Sequence, residues 1–214
     1  IDWEAGIAAG LGAVARAHGR EVPDEELLAA FARHEAEIEA GPYRRYREVL
    51  ARACRGVCAD LGIEPSADEV ATFAGSVGEW PAFPDSAAAL AALAERFRLA
   101  VITNCDDDLF AASNRRLGVT FDWIITAQQA GSYKPSHRNF ELAFERIGRP
   151  RDRILHVAQS LFHDHVPARE LGLRSVWINR RAEREGSGAT PPATASPDAT
   201  FPDVASFAED ALRG

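Results

Sequence analysis

The spacing of apolar residues changes near residue 81 and divides the sequence into two parts. Before that point apolar residues recur every three or four positions, which is typical of helices and predicts no strand. After it, short apolar runs alternate with helical patterns, which predicts βαβ units and a parallel sheet. The predicted helices cover residues 1–20, 24–40, 43–61, 67–77, 86–96, 107–117, 139–147, 166–171 and 204–212. The predicted strands cover residues 99–102, 123–126, 154–158 and 175–178.

These patterns predict an α/β protein with a helical insertion. We expect a Rossmann-like parallel sheet in a core domain made of residues 1–14 and 81–214. The helices of residues 15–80 then form a smaller cap domain beside it. Asp85, which follows two prolines in the segment WPAFPD, is a typical N-cap for the next helix. Residues 181–200 are rich in Gly, Pro and Ser, which predicts a mobile loop or linker.

Composition excludes some classes of function. The net charge of −8 disfavours nucleic acid and anionic membrane as partners. No apolar run approaches the roughly 18 residues that a membrane-spanning helix needs. Three cysteines without metal spacing indicate a reduced, cytoplasmic protein. Because the sequence contains no methionine and begins at Ile1, we expect the natural protein to start further upstream.

Polar side chains follow the predicted strands at the points where they end. Thr103 and Asn104 follow the first strand, and Lys134 lies in the loop GSYKP after the second. Gln159, Ser160 and Asp164 follow the third strand. Since ligands bind parallel sheets outside the carboxyl ends of their strands, this set predicts a cradle for an anionic substrate. Each residue also has a structural alternative, namely helix capping for Thr103, Asn104 and Asp164 and a solvated position for Lys134.

Four further residues are candidates for binding a substrate. They are Trp3, Arg33 and Tyr43 in the helical part and His163 beside Asp164. Packing, solvation or a structural hydrogen bond is the competing explanation for each of them. Cys105 is a weaker candidate, because no histidine is predicted to pair with it as a nucleophile. Cys54 and Cys58 lie one helical turn apart, but two ligands do not make a zinc site, and no metal site is predicted.

Three segments resemble the haloacid dehalogenase superfamily. They are VITN at 101–104, YKPSHRNFELAFERIG at 133–148 and HVAQSLFHDHVPARELGLRSVWINR at 156–180. Together with a helical cap, their order resembles the 2-haloacid dehalogenase branch. WPAFPD, GSYKP and SLFHDH are similar to the azetidine-2-carboxylate hydrolase type. The resemblance implies a hydrolase with a HAD-like core and a small-molecule carboxylate as substrate.

The resemblance also implies roles for the residues at the strand ends. Thr103 matches the hydroxyl that binds the anionic group of the substrate, with Asn104 and Ser160 beside it. Lys134 matches the lysine that neutralises the nucleophilic carboxylate, and Asp164 matches the acid of the last motif. Phosphatases of the superfamily carry an acid where this chain has Gln159, and an amide is a weaker ligand for Mg²⁺. We therefore expect no cofactor.

The nucleophile of this superfamily is an aspartate that precedes a segment like IDWEAG. We expect that aspartate, and the first strand of the core that carries it, to lie upstream of Ile1. That strand belongs between the strands at 99–102 and 154–158, which should therefore not pair. The predicted reaction cleaves a carbon–halogen or strained carbon–nitrogen bond of a 2-substituted carboxylic acid through an aspartyl ester. A Mg²⁺-dependent phosphatase and a non-catalytic protein stay open as alternatives, and a homodimer is possible.

Overall fold

The computed structural model describes residues 1–184 and 186–213. Its α-helices are α1 (Trp3–Ala17), α2 (Asp24–Glu39), α3 (Tyr46–Asp60), α4 (Ala67–Gly75), α5 (Ser86–Ala94), α6 (Asp107–Leu117), α7 (Ala127–Ala130), α8 (His137–Ile147), α9 (Val166–Glu170) and α10 (Val204–Arg213). Its strands are β1 (Ala100–Thr103), β2 (Trp123–Thr126), β3 (Leu155–Ala158), β4 (Arg174–Ile178) and β5 (Ala199–Phe201). Short 3-10 or π turns cover Ser76–Glu79, Arg151–Arg153 and Leu161–His165.

All strand pairs are parallel, which confirms the predicted α/β class. β1 pairs with β2, and β4 lies between β3 and β5. The two sheets are separate because β1 and β3 do not pair with each other. The prediction that these two strands are not direct neighbours is thus confirmed. The carboxyl ends of β1 and β3 carry most of the polar residues that the sequence singles out.

The first four helices pack together through their apolar faces. α2 contacts both α1 and α3, and α4 contacts α3. Their shared core includes the fully buried Phe31 and Leu50, and it continues to Cys105 and Phe110 beyond the end of β1. The boundary predicted between residues 14 and 15 falls inside α1. The division into a core and a cap domain stays a prediction.

Asp106 ties the helical block to the sheet. It follows β1 after Asn104 and Cys105 and is 2% exposed. Its Oδ1 accepts a hydrogen bond from the backbone N–H of Tyr46 at 3.1 Å, and its Oδ2 accepts one from that of Arg47 at 3.2 Å. These N–H groups begin α3 and have no partner inside that helix, so a carboxylate there stabilises the helix terminus. The start of α3 is therefore held against the carboxyl edge of β1.

Two local predictions are wrong in detail. Asp85 precedes α5 but makes no capping hydrogen bond with its side chain. Its Oδ2 instead accepts from the backbone N–H of Val204 and from Arg180 Nη2, both at 2.8 Å, so the carboxylate joins α10 to the exit of β4. The region 181–200 is not loop throughout, because β5 begins at Ala199 and pairs with β4. Residue 185 of that region lies outside the described residues.

Within residues 1–184 and 186–213, no helix combines the length and the apolar character needed to cross a membrane. The cytoplasmic location stays a prediction.

Candidate active site

A cavity of about 910 Å³ lies at the carboxyl ends of β1 and β3. It is closed on other sides by residues of α1, α2 and α3 and by the segment after β4. Eight of the ten residues predicted for the site line it: Trp3, Thr103, Asn104, Lys134, Gln159, Ser160, His163 and Asp164. The rule that places ligands at the carboxyl ends of parallel strands therefore locates the cavity.

Lys134 and Asp164 form a buried ion pair in the wall of this cavity. The distance from Lys134 Nζ to Asp164 Oδ1 is 2.7 Å, and the two residues are 9% and 5% exposed. His156 Nε2 lies 3.0 Å from the same oxygen. Burial opposes the ionisation of Asp164, but the Lys134 ammonium and His156 outweigh it and hold the pKa of Asp164 well below its usual range. Asp164 is thus a carboxylate at neutral pH.

Asn104 positions Lys134 through its backbone. Asn104 Oδ1 accepts from the Lys134 N–H at 2.7 Å, and Asn104 Nδ2 donates to the Lys134 carbonyl at 3.0 Å. Both ends of the amide are therefore used within the protein. These hydrogen bonds fix the loop that carries the lysine, and the contact of Asn104 with the substrate stays a prediction. Lys134 is the only lysine of the sequence.

Three polar residues at the same edge differ in the hydrogen bonds that they make, namely Thr103, Ser160 and Gln159. Thr103 ends β1 beside Thr126 of β2, and its hydroxyl makes no hydrogen bond among the described residues. Ser160 Oγ accepts from the His163 N–H at 3.0 Å and so caps the π turn, which leaves its hydroxyl proton for another partner. The Gln159 carbonyl accepts from Trp177 Nε1 at 2.8 Å, and its side chain makes no hydrogen bond in the described chain.

His163 is buried beside the ion pair. Burial lowers the pKa of His163 to about 4, with Asp164 opposing and Lys134 adding to the shift, so the ring is neutral at neutral pH. His165, by contrast, is structural. Its Nε2 donates to the Ala158 carbonyl at 3.0 Å, and its Nδ1 lies 3.1 Å from Ser175 Oγ.

The structure does not bring Arg33 and Tyr43 to the cavity, and their predicted positions are corrected. The Arg33 side chain is 55% exposed and pairs with Asp60 on α3 at 2.5 Å, because it lies on the outer face of α2. Tyr43 precedes α3 and is 37% exposed, with its ring 5.5 Å from that of Tyr133. Trp3 does reach the cavity, where its ring packs edge-on against Tyr46 and Trp80.

Three ionisable residues of the site are not among those predicted from the sequence. His156 lies inside β3, where the pattern indicates a buried strand only. Glu35 and Glu39 lie on α2, and Glu35 lines the cavity. A signal for the two acids does exist, since they continue the apolar face of Leu28 and Phe31 at intervals of three and four residues. Charged residues on the buried face of a helix are rare unless they have a partner or a function.

Few side chains of the described part of the chain could bind a metal ion at this site, and the absence of a cofactor stays a prediction. Among the described residues no group of three His, Cys, Asp or Glu side chains could hold one. The Asp164 carboxylate is already engaged by a lysine, and Gln159 offers only an amide. Cys105 is not an activated nucleophile either, because burial raises the pKa of its thiol to about 12.

Comparison with known proteins places this geometry in a family. A family model described as haloacid dehalogenase-like hydrolase matches residues 4–160. The chain is 28% identical over 155 residues to (S)-2-haloacid dehalogenase H-109 of Pseudomonas putida, covering 71% of this chain and 69% of the relative. It is also 28% identical over 116 residues to the pyrimidine 5'-nucleotidase YjjG of Escherichia coli (strain K12), covering 53% of this chain and 52% of that one.

The fold has solved counterparts. L-2-haloacid dehalogenase from Xanthobacter autotrophicus matches with a TM-score of 0.81 at 19% identity, over 98% of this chain and 93% of that chain. At this identity the likeness concerns the fold alone. The chain spans about two thirds of the length of the first curated relatives, between 63% and 69%.

Proposed function

This chain belongs to the haloacid dehalogenase-like hydrolase family, and on that premise we propose that it hydrolyses a small carboxylic acid substituted at carbon 2. The bond cleaved is a carbon–halogen bond or a strained carbon–nitrogen bond. The observation that carries the proposal is the buried Lys134–Asp164 pair in the cavity wall, with the unengaged Thr103 hydroxyl at the end of the neighbouring sheet. The 2-haloacid dehalogenases among the relatives support the same class of reaction.

The proposed nucleophile is an aspartate carboxylate in a segment that precedes Ile1. It attacks the carbon that bears the leaving group and forms an ester, which water then cleaves. Asp2 is not suited to this step, because its Oδ1 accepts from the Ala5 N–H at 3.0 Å and caps α1. The Lys134 ammonium favours the ionised form of a carboxylate placed beside it.

Asp164 is proposed to orient groups and not to take up a proton. Its Oδ1 accepts from Lys134, while its Oδ2 makes no hydrogen bond among the described residues and is left to accept one from the attacking water. A carboxylate with so low a pKa is a weak base, so it positions the water better than it deprotonates it. The Thr103 and Ser160 hydroxyls donate to the substrate carboxylate.

A second candidate is a Mg²⁺-dependent phosphatase of small phosphate esters, which the likeness to a nucleotidase favours. The residues of the site fit it less well, because Gln159 stands where phosphatases of this kind carry an acid. A hard cation such as Mg²⁺ prefers charged oxygen ligands in octahedral array.

The test is product release by the full-length protein from chloroacetate, fluoroacetate, azetidine-2-carboxylate and a generic phosphate ester. We expect turnover of one of the first three acids, unchanged by a chelator. Thr103→Val should raise the KM of that acid by about tenfold through loss of one charge-assisted hydrogen bond, and Thr120→Val, at an exposed position, should leave it unchanged. Turnover confined to the phosphate ester and abolished by the chelator would replace the first candidate with the second.

A further inference from the structure

Helix α2 presents two buried carboxyl groups to the region of the cavity. Glu35 and Glu39 lie one helical turn apart and therefore on one face. Glu35 is 7% exposed and lines the cavity, and the Glu39 side chain is 6% exposed. The mechanism proposed above uses neither of them.

The carboxyl oxygens of this pair are only partly satisfied. Glu35 Oε1 accepts from the Tyr46 hydroxyl at 2.5 Å, and its Oε2 makes no hydrogen bond among the described residues. Glu39 Oε2 receives one long hydrogen bond from Asn104 Nδ2 at 3.4 Å. Glu39 Oε1 is buried without any hydrogen-bond partner in the described chain. Buried polar atoms are rarely left without a hydrogen-bond partner, so this oxygen should meet a water molecule or a group that does not belong to the described residues.

No cation of the described residues satisfies the two acids. Lys134 is committed to Asp164, and no lysine or arginine forms an ion pair with Glu35 or Glu39. The His163 ring is 4.0 Å from Glu39 Oε2, too far for a hydrogen bond. Burial raises the pKa of Glu35 to about 7, and burial together with Glu35 raises the pKa of Glu39 well above its usual value, although Lys134 opposes this.

We propose that Glu35 and Glu39 bind a protonated amine on the substrate, so that the substrate is a zwitterion with an ammonium group as well as its carboxylate. The inference rests on the proposed function and narrows it to the carbon–nitrogen substrates. An ammonium group supplies a positive charge and two or more N–H donors, which match the two unengaged oxygens. A departing halide would instead meet carboxyl groups, which repel it when ionised. Glu35 lines the cavity, and Glu39 lies directly behind the wall, in contact with Asn104 and His163, which also line it.

The test measures binding by calorimetry with the full-length protein and two unreactive rings of equal size. L-proline carries the ring nitrogen, and cyclopentanecarboxylate lacks it. We expect the wild type to bind L-proline at least about tenfold more tightly, because a charged hydrogen-bonded contact is gained. Glu39→Gln and Glu35→Gln should each reduce this ratio toward one while leaving the affinity for cyclopentanecarboxylate unchanged. Glu37→Gln, at an exposed position of the same helix, should keep the ratio.

Equal binding of the two rings by the wild type would overturn the inference, whatever the variants do. A preference for L-proline that survives in both Glu35→Gln and Glu39→Gln would overturn the assignment to these residues. The proposed function is judged separately by turnover. A protein that hydrolyses 2-chloropropionate and shows no preference for the amine keeps the proposed function and loses this inference. One that prefers L-proline but hydrolyses no acid keeps the amine site and loses the proposed reaction.

Discussion

Two groups of buried carboxyl side chains lie at the cavity, and they differ in their counter-charges. At the strand ends, Asp164 has the Lys134 ammonium at 2.7 Å and the His156 ring at 3.0 Å. On α2, Glu35 has only the neutral Tyr46 hydroxyl, and Glu39 has one long hydrogen bond from an amide. Burial disfavours the charged form in both places.

The comparison shows that partners, and not depth of burial, decide the ionisation state here. Asp164 is as buried as the two glutamates, yet its pKa lies below its usual range while theirs lie above. The strand-end group is therefore charged before any substrate arrives. The acids of α2 hold their protons more tightly than free carboxyl groups do, and a positive charge beside them would favour their ionised forms. Removing a partner or a carboxyl group tests each side of this contrast.

The largest effect is expected for Lys134→Met, which removes the ammonium group and leaves the buried Asp164 carboxylate without its main counter-charge. Breaking a buried ion pair leaves one charge alone, and we expect a loss of about 3 kcal/mol in the free energy of unfolding. Without the ammonium, burial should raise the pKa of Asp164 in the variant above its unfolded value, so the variant loses stability as pH rises through that window. Its deficit should therefore be largest at pH 7 and shrink toward pH 4. Denaturant unfolding at several pH values measures it. Activity should fall on the order of 10²–10³-fold.

The matched control is the double variant Lys134→Met with Asp164→Asn, which removes both charges. Part of the lost stability should return in it, because no unpaired charge is left. If the single and double variants are equally unstable at pH 7, the loss comes from packing and the ion pair does not explain it.

Much of the fold follows from local signals along the chain. Helix α6 and strand β2 have the bounds that the sequence predicts, since acids open the helix and Gly118, at φ 63°, ends it. Strand β5 is missed because three residues are too few to show alternation, and the prolines before it suggest a loop. Helix α7 is also missed, because its four residues are too few to show a helical period.

The sequence predicts a residue of the candidate site only where the topology of the sheet fixes the position of that residue. Lys134 and Asp164 follow strands, and parallel strands bring their carboxyl ends to one edge regardless of packing. Residues of α2 reach the cavity only on the face that packs inward, and the rotation of a helix depends on its neighbours. The sequence therefore predicts a position at the cavity for Arg33, which lies on the outer face of α2, and none for Glu35, which continues the apolar face and lines the cavity.

Glu35→Gln tests the acids of α2, which have no counter-charge among the described residues, and should make the protein more stable at alkaline pH. Because the pKa of Glu35 is raised to about 7, the folded chain binds more protons than the unfolded chain between about pH 4.5 and 7, and stability falls as pH rises through that window. Glutamine keeps an acceptor for Tyr46 but cannot ionise. We expect a gain of roughly 2–3 kcal/mol over the wild type at pH 8 and little difference at pH 5. Glu37→Gln should show no such trend, and a gain that does not depend on pH would contradict the assigned cause.

The smallest effect is expected for His156→Phe, which removes the lesser partner of Asp164 and keeps the aromatic contact with Phe140 at 5.3 Å. Since the Lys134 ammonium remains, we expect a loss of about 1–2 kcal/mol, as for one hydrogen bond to a charged group. His137→Phe is the matched control, because its ring also meets a carboxylate, Glu170 at 2.7 Å, but is 42% exposed. The exposed pair should cost less than about 1 kcal/mol. Denaturant unfolding at pH 7 measures the free energy of unfolding of both variants. Equal losses in the two would mean that burial does not strengthen the interaction between His156 and Asp164.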